Sequence, residues 1–98
     1  MKTGFFDPYL YRLNPGATTY SLAHEYAHQD QCVRGTVLWR LYLKHRSTPY
    51  LAHIAMALME SEAALLATVE LVRCRAWEPQ DGREALSGLK GYFRAIFA

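Results

Sequence analysis

The sequence predicts a mainly α protein: a single compact domain over residues 1–98, with about four helices and at most a short N-terminal strand or extended segment. Three observations lead to this fold class. Ninety-eight residues are enough for one modest hydrophobic core and too few for two. Hydrophobic residues make up 51% of the chain and charged residues 20%, as in folded globular proteins. Alanine and leucine are abundant, whereas glycine and proline number only six and four, which favours helix.

Turn residues mark where the predicted helices begin and end. Gly35 is a stop signal after the first helix, and Trp77-Glu78-Pro79 ends the third. Ser47-Thr48-Pro49 indicates the start of the third helix, with a capping hydroxyl followed by proline at the first helical position. The helices are therefore expected from about 17 or 18 to 32, from 36 to 46, from Pro49 or Tyr50 to 75, and from 81 to 97.

The remaining segments differ in their hydrophobic pattern. Residues 1–16 are rich in aromatic side chains, and Pro8 and Pro15 leave room for only one short strand over 9–13. The third helix has almost no polar face before Glu60, which predicts a central and mostly buried element. The last helix carries an apolar stripe expected to form core or an oligomer contact: Leu86, Leu89, Phe93 and Phe97.

Charge and hydropathy narrow the classes of partner. The formal net charge is +2 and the basic residues are scattered, so we expect no nucleic-acid partner. No signal peptide is evident, and the longest nearly apolar stretch, 51–59, is too short to span a bilayer. We expect a soluble, cytoplasmic protein with no membrane partner, with Cys32 and Cys74 as thiols and with homo-oligomerisation favoured by its apolar surface.

The pentapeptide His24-Glu25-Tyr26-Ala27-His28 has the pattern HExxH and lies in the first predicted helix. Residues four apart share one face of a helix, so both imidazoles can bind the same Zn²⁺ ion. Glu25 lies beside them, within reach of a metal-bound water whose proton it can accept. The pattern predicts a zinc site with His24 and His28 as ligands; the alternative is a solvated helix face that carries the motif by chance.

A catalytic zinc ion usually has three protein ligands and an open position. The downstream candidates for the third ligand are Glu60, Glu62, Glu70, His45 and His53. Glu60 and Glu62 lie within apolar surroundings of the long helix, where an unpaired carboxylate is costly.

The neighbours of these two glutamates at helical spacing favour Glu60. The neighbours of Glu60 are mostly small, so that another helix can approach closely: His53, Met56, Ala57, Ala63, Ala64 and Ala67. The neighbours of Glu62 form a bulkier face suited to core packing: Ala55, Leu58, Met59, Leu65, Leu66 and Val69. Glu60 is the preferred third ligand, and Glu62 stays open as the alternative.

With these motifs the chain resembles the gluzincin metallopeptidases, and most closely the very small minigluzincins. The resemblance covers His24 to about Ala67 and depends on HExxH and on Glu60-x-x-Ala63, which begins 32 residues after His28. It implies a zincin-like helical core in which His24, His28 and Glu60 bind zinc. It also implies a zinc-dependent metallopeptidase in which Glu25 is the general base, with a peptide or protein substrate.

The chain departs from the family pattern at several positions. Ala64 stands where many relatives have an Asp that orients a ligand His, and Asp30 stands where an apolar residue is usual. Only about 23 residues precede HExxH, where gluzincins place several strands. These departures support an alternative function, a catalytically inactive or latent zinc-binding domain that serves as an interaction module. The donor to the oxyanion stays open among Tyr20, Tyr50 and His53.

Overall fold

Residues 18–97 are described in a computed structural model of the chain, and they form four α-helices. These are α1 (Thr19–Arg34), α2 (Val37–His45), α3 (Leu51–Arg73) and α4 (Pro79–Phe97). Residues 18–97 contain no strand, so the mainly α fold class and the number of helices are confirmed. The strand predicted over 9–13 lies outside the described residues.

Local capping explains both ends of α1 and the start of α2. The Thr18 hydroxyl accepts a hydrogen bond from the Ser21 N–H at 3.0 Å, and the Thr36 hydroxyl accepts one from the Trp39 N–H at 3.3 Å. Gly35 ends α1 in the left-handed region, with φ 61° and ψ 51°, and its N–H donates to the carbonyl of Gln31. The predicted stop at Gly35 is therefore confirmed.

The predicted side-chain cap of α3 is wrong, and the helix starts one residue after the later of its two predicted starts, Pro49 and Tyr50. The helix begins at Leu51, and Tyr50 precedes it with a φ of 70° and no side-chain cap. The carbonyl of Thr48, rather than its hydroxyl, accepts the hydrogen bond of the Ala52 N–H at 2.9 Å. Pro49 belongs to a tight turn in which its carbonyl accepts from Leu51 N–H at 2.8 Å, so the helix can begin only after the chain has reversed.

The central position predicted for the long helix is confirmed, because α3 packs against α1, α2 and α4. The contact between α1 and α3 consists mainly of alanine. A cluster of buried residues forms its centre: Tyr20, Ala23, Ala27, Ala63, Ala67 and Leu71. Methyl side chains allow the two helix backbones to approach closely, which brings HExxH near the middle of α3.

The core packing expected for one apolar face is wrong, and it is excluded for a second. Leu58, Leu65 and Val69 of the face assigned to core packing are 38%, 63% and 48% exposed. Leu86, Phe93 and Phe97 of α4 are exposed as well, so that stripe is not core and its role as an oligomer contact stays a prediction. In a chain this small, three neighbouring helices cannot cover every side of a 23-residue helix, and the closest packing falls on the small residues. None of the described helices is long and apolar enough to cross a membrane.

Candidate metal centre

The structure brings His24, His28 and Glu60 together at the interface of α1 and α3. One potential ligand atom from each of the three residues lies within 4.8 Å of the others. The Oε1 atom of Glu60 is 2.9 Å from His24 Nε2 and 3.0 Å from His28 Nε2. The two histidines lie side by side because they are four residues apart on one helix, and their ring centroids are 4.6 Å apart.

The geometry around Glu60 Oε1 fits a shared cation better than ordinary hydrogen bonding. The atom is buried, yet among the described residues it has no hydrogen-bond partner despite its short distances to the two imidazoles. Two neutral imidazole nitrogens and a carboxylate oxygen that face one another all present lone pairs. Either protons or a metal ion must separate them, and two nitrogens with one oxygen form a common donor set for catalytic zinc.

In the absence of an ion, the imidazoles and Glu60 shift one another's pKa. Burial alone raises the pKa of Glu60, but the imidazoles of His24 and His28 outweigh it and lower the pKa to about 2. Contact with Glu60 raises the pKa of His28, against burial and with a further contribution from Gln31. A buried carboxylate that stays ionised at neutral pH attracts a cation strongly.

Gln31 fixes the orientation of His28. Its Oε1 lies 2.9 Å from His28 Nδ1, and because that oxygen can only accept, Nδ1 must carry the hydrogen. The neutral ring then has its lone pair on Nε2, the atom that faces Glu60. On the other side, Gln31 Nε2 donates to the Met59 carbonyl and to Glu62 Oε1, each at 2.9 Å, which fixes which end of the amide is oxygen.

Glu60 and Glu62 therefore occupy different environments, although both were candidates for the third ligand. Glu60 lies between the two histidines, whereas Glu62 Oε1 accepts hydrogen bonds from Gln31 and from the Thr36 hydroxyl, the latter at 2.6 Å. Glu62 thus holds Gln31, which in turn holds His28. The only feature of the sequence that points to this role is the position of Gln31 one turn beyond His28.

The other predicted site residues differ in their exposure and in their contacts with the cluster. Glu25 is exposed, and its charge contributes to the raised pKa of His28. Tyr20 is buried, and its ring stacks on His24 with centroids 5.7 Å apart. Tyr50 and His53 are exposed near the start of α3, and His53 is not one of the three clustered residues. Which residue donates to the oxyanion stays a prediction.

The remaining downstream candidates also lie outside the cluster. Glu70 is buried near the end of α3, where it pairs with Arg73 at 3.3 Å, and His45 is the last residue of α2. Asp30, one of the departures from the family pattern, forms an ion pair with Arg34 at 2.6 Å. Cys32 and Cys74 do not form a disulfide with each other.

Residues of α2 and α4 also border the cluster, and no sequence pattern had indicated them as site residues. On one side the ring of Trp39 lies 6.4 Å from that of His28 and 5.9 Å from that of Tyr42, between centroids. On the other side Tyr92 of α4 borders Glu60, and burial together with the negative charge of Glu60 raises its pKa. The contacts of Trp39 with His28 and of Tyr92 with Glu60 join different helices, and no local pattern indicates them.

A cavity of about 240 Å³ lies between α1, α3 and α4, next to the cluster. His24 and Glu60 form part of its wall, so it opens directly onto the candidate metal centre. The other lining residues are Tyr20, Ser21, Ala64, Glu84, Ala85, Gly88, Leu89 and Tyr92. Ala64, the departure from the family pattern, offers this cavity a methyl group in place of a carboxylate.

Compared with known proteins, the chain matches no family model, no curated protein and no solved structure. The assignment of function therefore depends on the geometry of the centre and on the chemistry of its residues.

Proposed function

We propose that this chain is a zinc-dependent metallopeptidase in which His24, His28 and Glu60 bind Zn²⁺ and Glu25 is the general base. The observation that carries the proposal is the convergence of two Nε2 atoms on the buried Oε1 of Glu60, which lacks a hydrogen-bond partner among the described residues. A bound zinc ion supplies Lewis acidity and lowers the pKa of a coordinated water to about 7.

Other residues of the chain have separate roles in the proposed reaction. Gln31 holds His28 in the tautomer whose Nε2 is free to bind a metal. The exposed carboxylate of Glu25 can accept a proton from the attacking water and return it to the leaving amine. The cavity that Glu60 lines offers space for one flank of a peptide bound at the centre.

Two tyrosines can stabilise the developing oxyanion. Tyr20 and Tyr92 both line the cavity, and their hydroxyl groups stay protonated at neutral pH. Burial, followed by the charge of Glu84, raises the pKa of Tyr20 to about 12. A neutral hydroxyl can donate a hydrogen bond to negative charge that develops on a carbonyl oxygen.

The experiment that tests metal binding compares two histidine variants of the purified chain. Zinc content and zinc affinity are measured for wild type, His24→Ala and His53→Ala, because His53 is an exposed histidine outside the cluster. We expect one zinc ion per chain in wild type and His53→Ala, and a large loss in His24→Ala. Equal zinc binding by all three proteins would contradict the proposed ligand set.

A second experiment tests catalysis with the zinc-loaded protein. Cleavage of a broad peptide library is compared for wild type, Glu25→Gln and Glu78→Gln, since Glu78 is an exposed glutamate at the start of α4. We expect Glu25→Gln to retain zinc and lose about 100- to 10,000-fold in rate, the range that general acid–base catalysis contributes. Equal background cleavage by wild type and Glu25→Gln would rule out this mechanism.

The alternative function is a zinc-binding domain without turnover that serves as an interaction module. It is favoured by the absence of a strand beside the centre within residues 18–97, because an edge strand would hold a peptide in extended form. The two experiments distinguish these functions. Zinc binding without Glu25-dependent cleavage supports the interaction module. Zinc binding together with Glu25-dependent cleavage supports the peptidase.

A further inference from the structure

The cavity beside the metal centre has an unusual combination of apolar walls and one additional carboxylate. Ala64, Ala85 and Leu89 contribute hydrocarbon surface, and Glu84 contributes an acidic side chain. Glu60 is the other acidic lining residue, and its charge belongs to the metal centre. No lysine or arginine is among the described residues that line the cavity.

Glu84 is held in place without being neutralised. Its Oε2 accepts a hydrogen bond from the Thr18 hydroxyl at 2.9 Å, which ties α4 to the start of α1. The side chain is partly buried, and within residues 18–97 it forms no ion pair with a basic residue. A charged group in such a place gains from a cationic partner, because ion pairs and charge-assisted hydrogen bonds strengthen as water is excluded.

The carboxylate of Glu84 and the candidate metal centre border the same cavity. Glu84, Tyr20 and His24 all line it, and the ring of Tyr20 stacks on that of His24 with centroids 5.7 Å apart. The carboxylate, the tyrosine and the metal-binding histidine therefore lie along one continuous wall. Because Glu84, His24 and Glu60 line one cavity, a single ligand can contact Glu84 and the candidate metal centre at the same time.

We propose that Glu84 and the cavity bind a cationic nitrogen group of the peptide substrate, an ammonium or guanidinium, next to the bond that is cleaved. This inference rests on the proposed peptidase function and names its substrate class. The apolar walls accommodate the hydrocarbon stem of a long side chain, and Glu84 receives the charged end. The same chemistry is offered by the α-amino group of an N-terminal residue and by the side chain of lysine or arginine.

The test uses four hydroxamates that share one zinc-chelating group and differ in the number and position of their cationic nitrogens. N-acetyl-leucine hydroxamate has no cation, leucine hydroxamate has an α-ammonium, N-acetyl-lysine hydroxamate has a side-chain ammonium, and lysine hydroxamate has both. Their affinities for the zinc-loaded full chain are measured by calorimetry. We expect at least one cationic compound to bind about tenfold or more tightly than the neutral one, and the pattern identifies which nitrogen is recognised.

Variants assign that preference to Glu84. Glu84→Gln keeps an oxygen that can accept from Thr18, so the link between α4 and α1 is preserved, and we expect it to abolish the preference for cations. Glu78→Gln, which changes an exposed glutamate of the same region, should leave the preference unchanged. Equal affinities for all four compounds in wild type, or a preference that persists in Glu84→Gln, would overturn the proposal.

A measurement without zinc separates this inference from the proposed function. n-Butylammonium and n-butanol are titrated into the metal-free chain, and amide NMR shifts are followed around Glu84 and Leu89. We expect saturable shifts with the ammonium only, and none in Glu84→Gln. If the chain binds no zinc, the proposed function fails while this titration still decides the charge preference; identical responses to both compounds would overturn the inference alone.

Discussion

The interface of α1 and α3 and the walls provided by α2 and α4 differ in packing and in what they contribute. All residues of the candidate metal centre come from α1 and α3, which together supply nearly all the buried residues. By contrast, α2 has no buried residue and α4 has only Asp81. The tightly packed interface fixes the distances between ligand atoms, whereas the thinly packed walls shape the space that a substrate would enter.

The difference in packing between these regions predicts a difference in their local stability. Local opening requires least free energy where few apolar contacts are buried. We therefore expect α2 and α4 to exchange amide hydrogens faster than α1 and the middle of α3. A rigid ligand set with adaptable walls suits a centre whose metal affinity and substrate preference can change independently.

The largest effect should come from the ligand carboxylate itself. Glu60→Gln removes the charge that lies between two histidines, so we expect zinc affinity to fall by more than about 100-fold, beyond the usual effect of a residue that only supports a ligand. Glu62→Gln keeps an acceptor for Gln31 and Thr36 and should lose less than about tenfold. Calorimetric titration with zinc measures both, and a greater loss in Glu62→Gln would make Glu62 the ligand.

Enlarging a side chain at the interface tests its close packing. Ala63 is fully buried between α1 and α3, so Ala63→Leu should lower the free energy of unfolding by about 3 kcal/mol and weaken zinc binding as the helices separate. Leu65 lies two residues further on and is 63% exposed. Leu65→Ala should change stability by no more than about 0.5 kcal/mol. Urea unfolding of the metal-free proteins checks this contrast, and similar losses in both would refute it.

The support for His28 can be removed without touching a ligand. Gln31→Met keeps a side chain of similar length and loses the hydrogen bonds to His28, Met59 and Glu62, so zinc affinity should fall by about 10- to 100-fold. Gln29→Met alters an exposed glutamine and should have no effect. The visible spectrum of the cobalt-substituted protein should change only in Gln31→Met. An unchanged spectrum and affinity in that variant would show that Gln31 does not orient the ligand.

The smallest effects concern two glycines and should have opposite signs. Gly35 ends α1 at φ 61°, so Gly35→Ala should destabilise the fold by about 1 kcal/mol. Gly91 lies within α4, and an added Cβ there meets no atom within 4 Å. Gly91→Ala should stabilise the fold by about 0.5–1 kcal/mol through helix propensity. Thermal unfolding measures both, and shifts of the same sign would contradict this assignment of backbone conformations.

Much of the ligand set could be predicted because its geometry is local. The four-residue spacing of His24 and His28 places them together on any helix, and Gly35 ends that helix by its backbone freedom alone. The choice of Glu60 over Glu62 needed one further step, the small residues around Glu60 that allow a neighbouring helix to approach. Its position between the histidines agrees with that choice, and its role as a ligand stays a prediction.

Other features could not be predicted because they depend on how distant segments meet. The exposure of Leu58 and Leu65 reflects which sides of α3 its neighbours leave uncovered. The start of α3 at Leu51 reflects the turn needed to bring α2 back against it. Neither the exposure of these leucines nor the start of α3 follows from the periodicity of the sequence, because both arise from the arrangement of several helices.

By itself, the sequence determined a mainly α chain with an HExxH face on its first helix and an alanine-rich stripe on its long helix. Both follow from interactions within a few turns of one helix. Only the tertiary structure decided that Glu62 supports Gln31, that Gln31 orients His28, and that α4 places Glu84 beside the centre. Gln31 and His28 are neighbours on α1, but the Gln31 amide is oriented by Glu62, 31 positions away. Glu84 is tied to Thr18, 66 positions away. The geometry is therefore set by the packing of several helices.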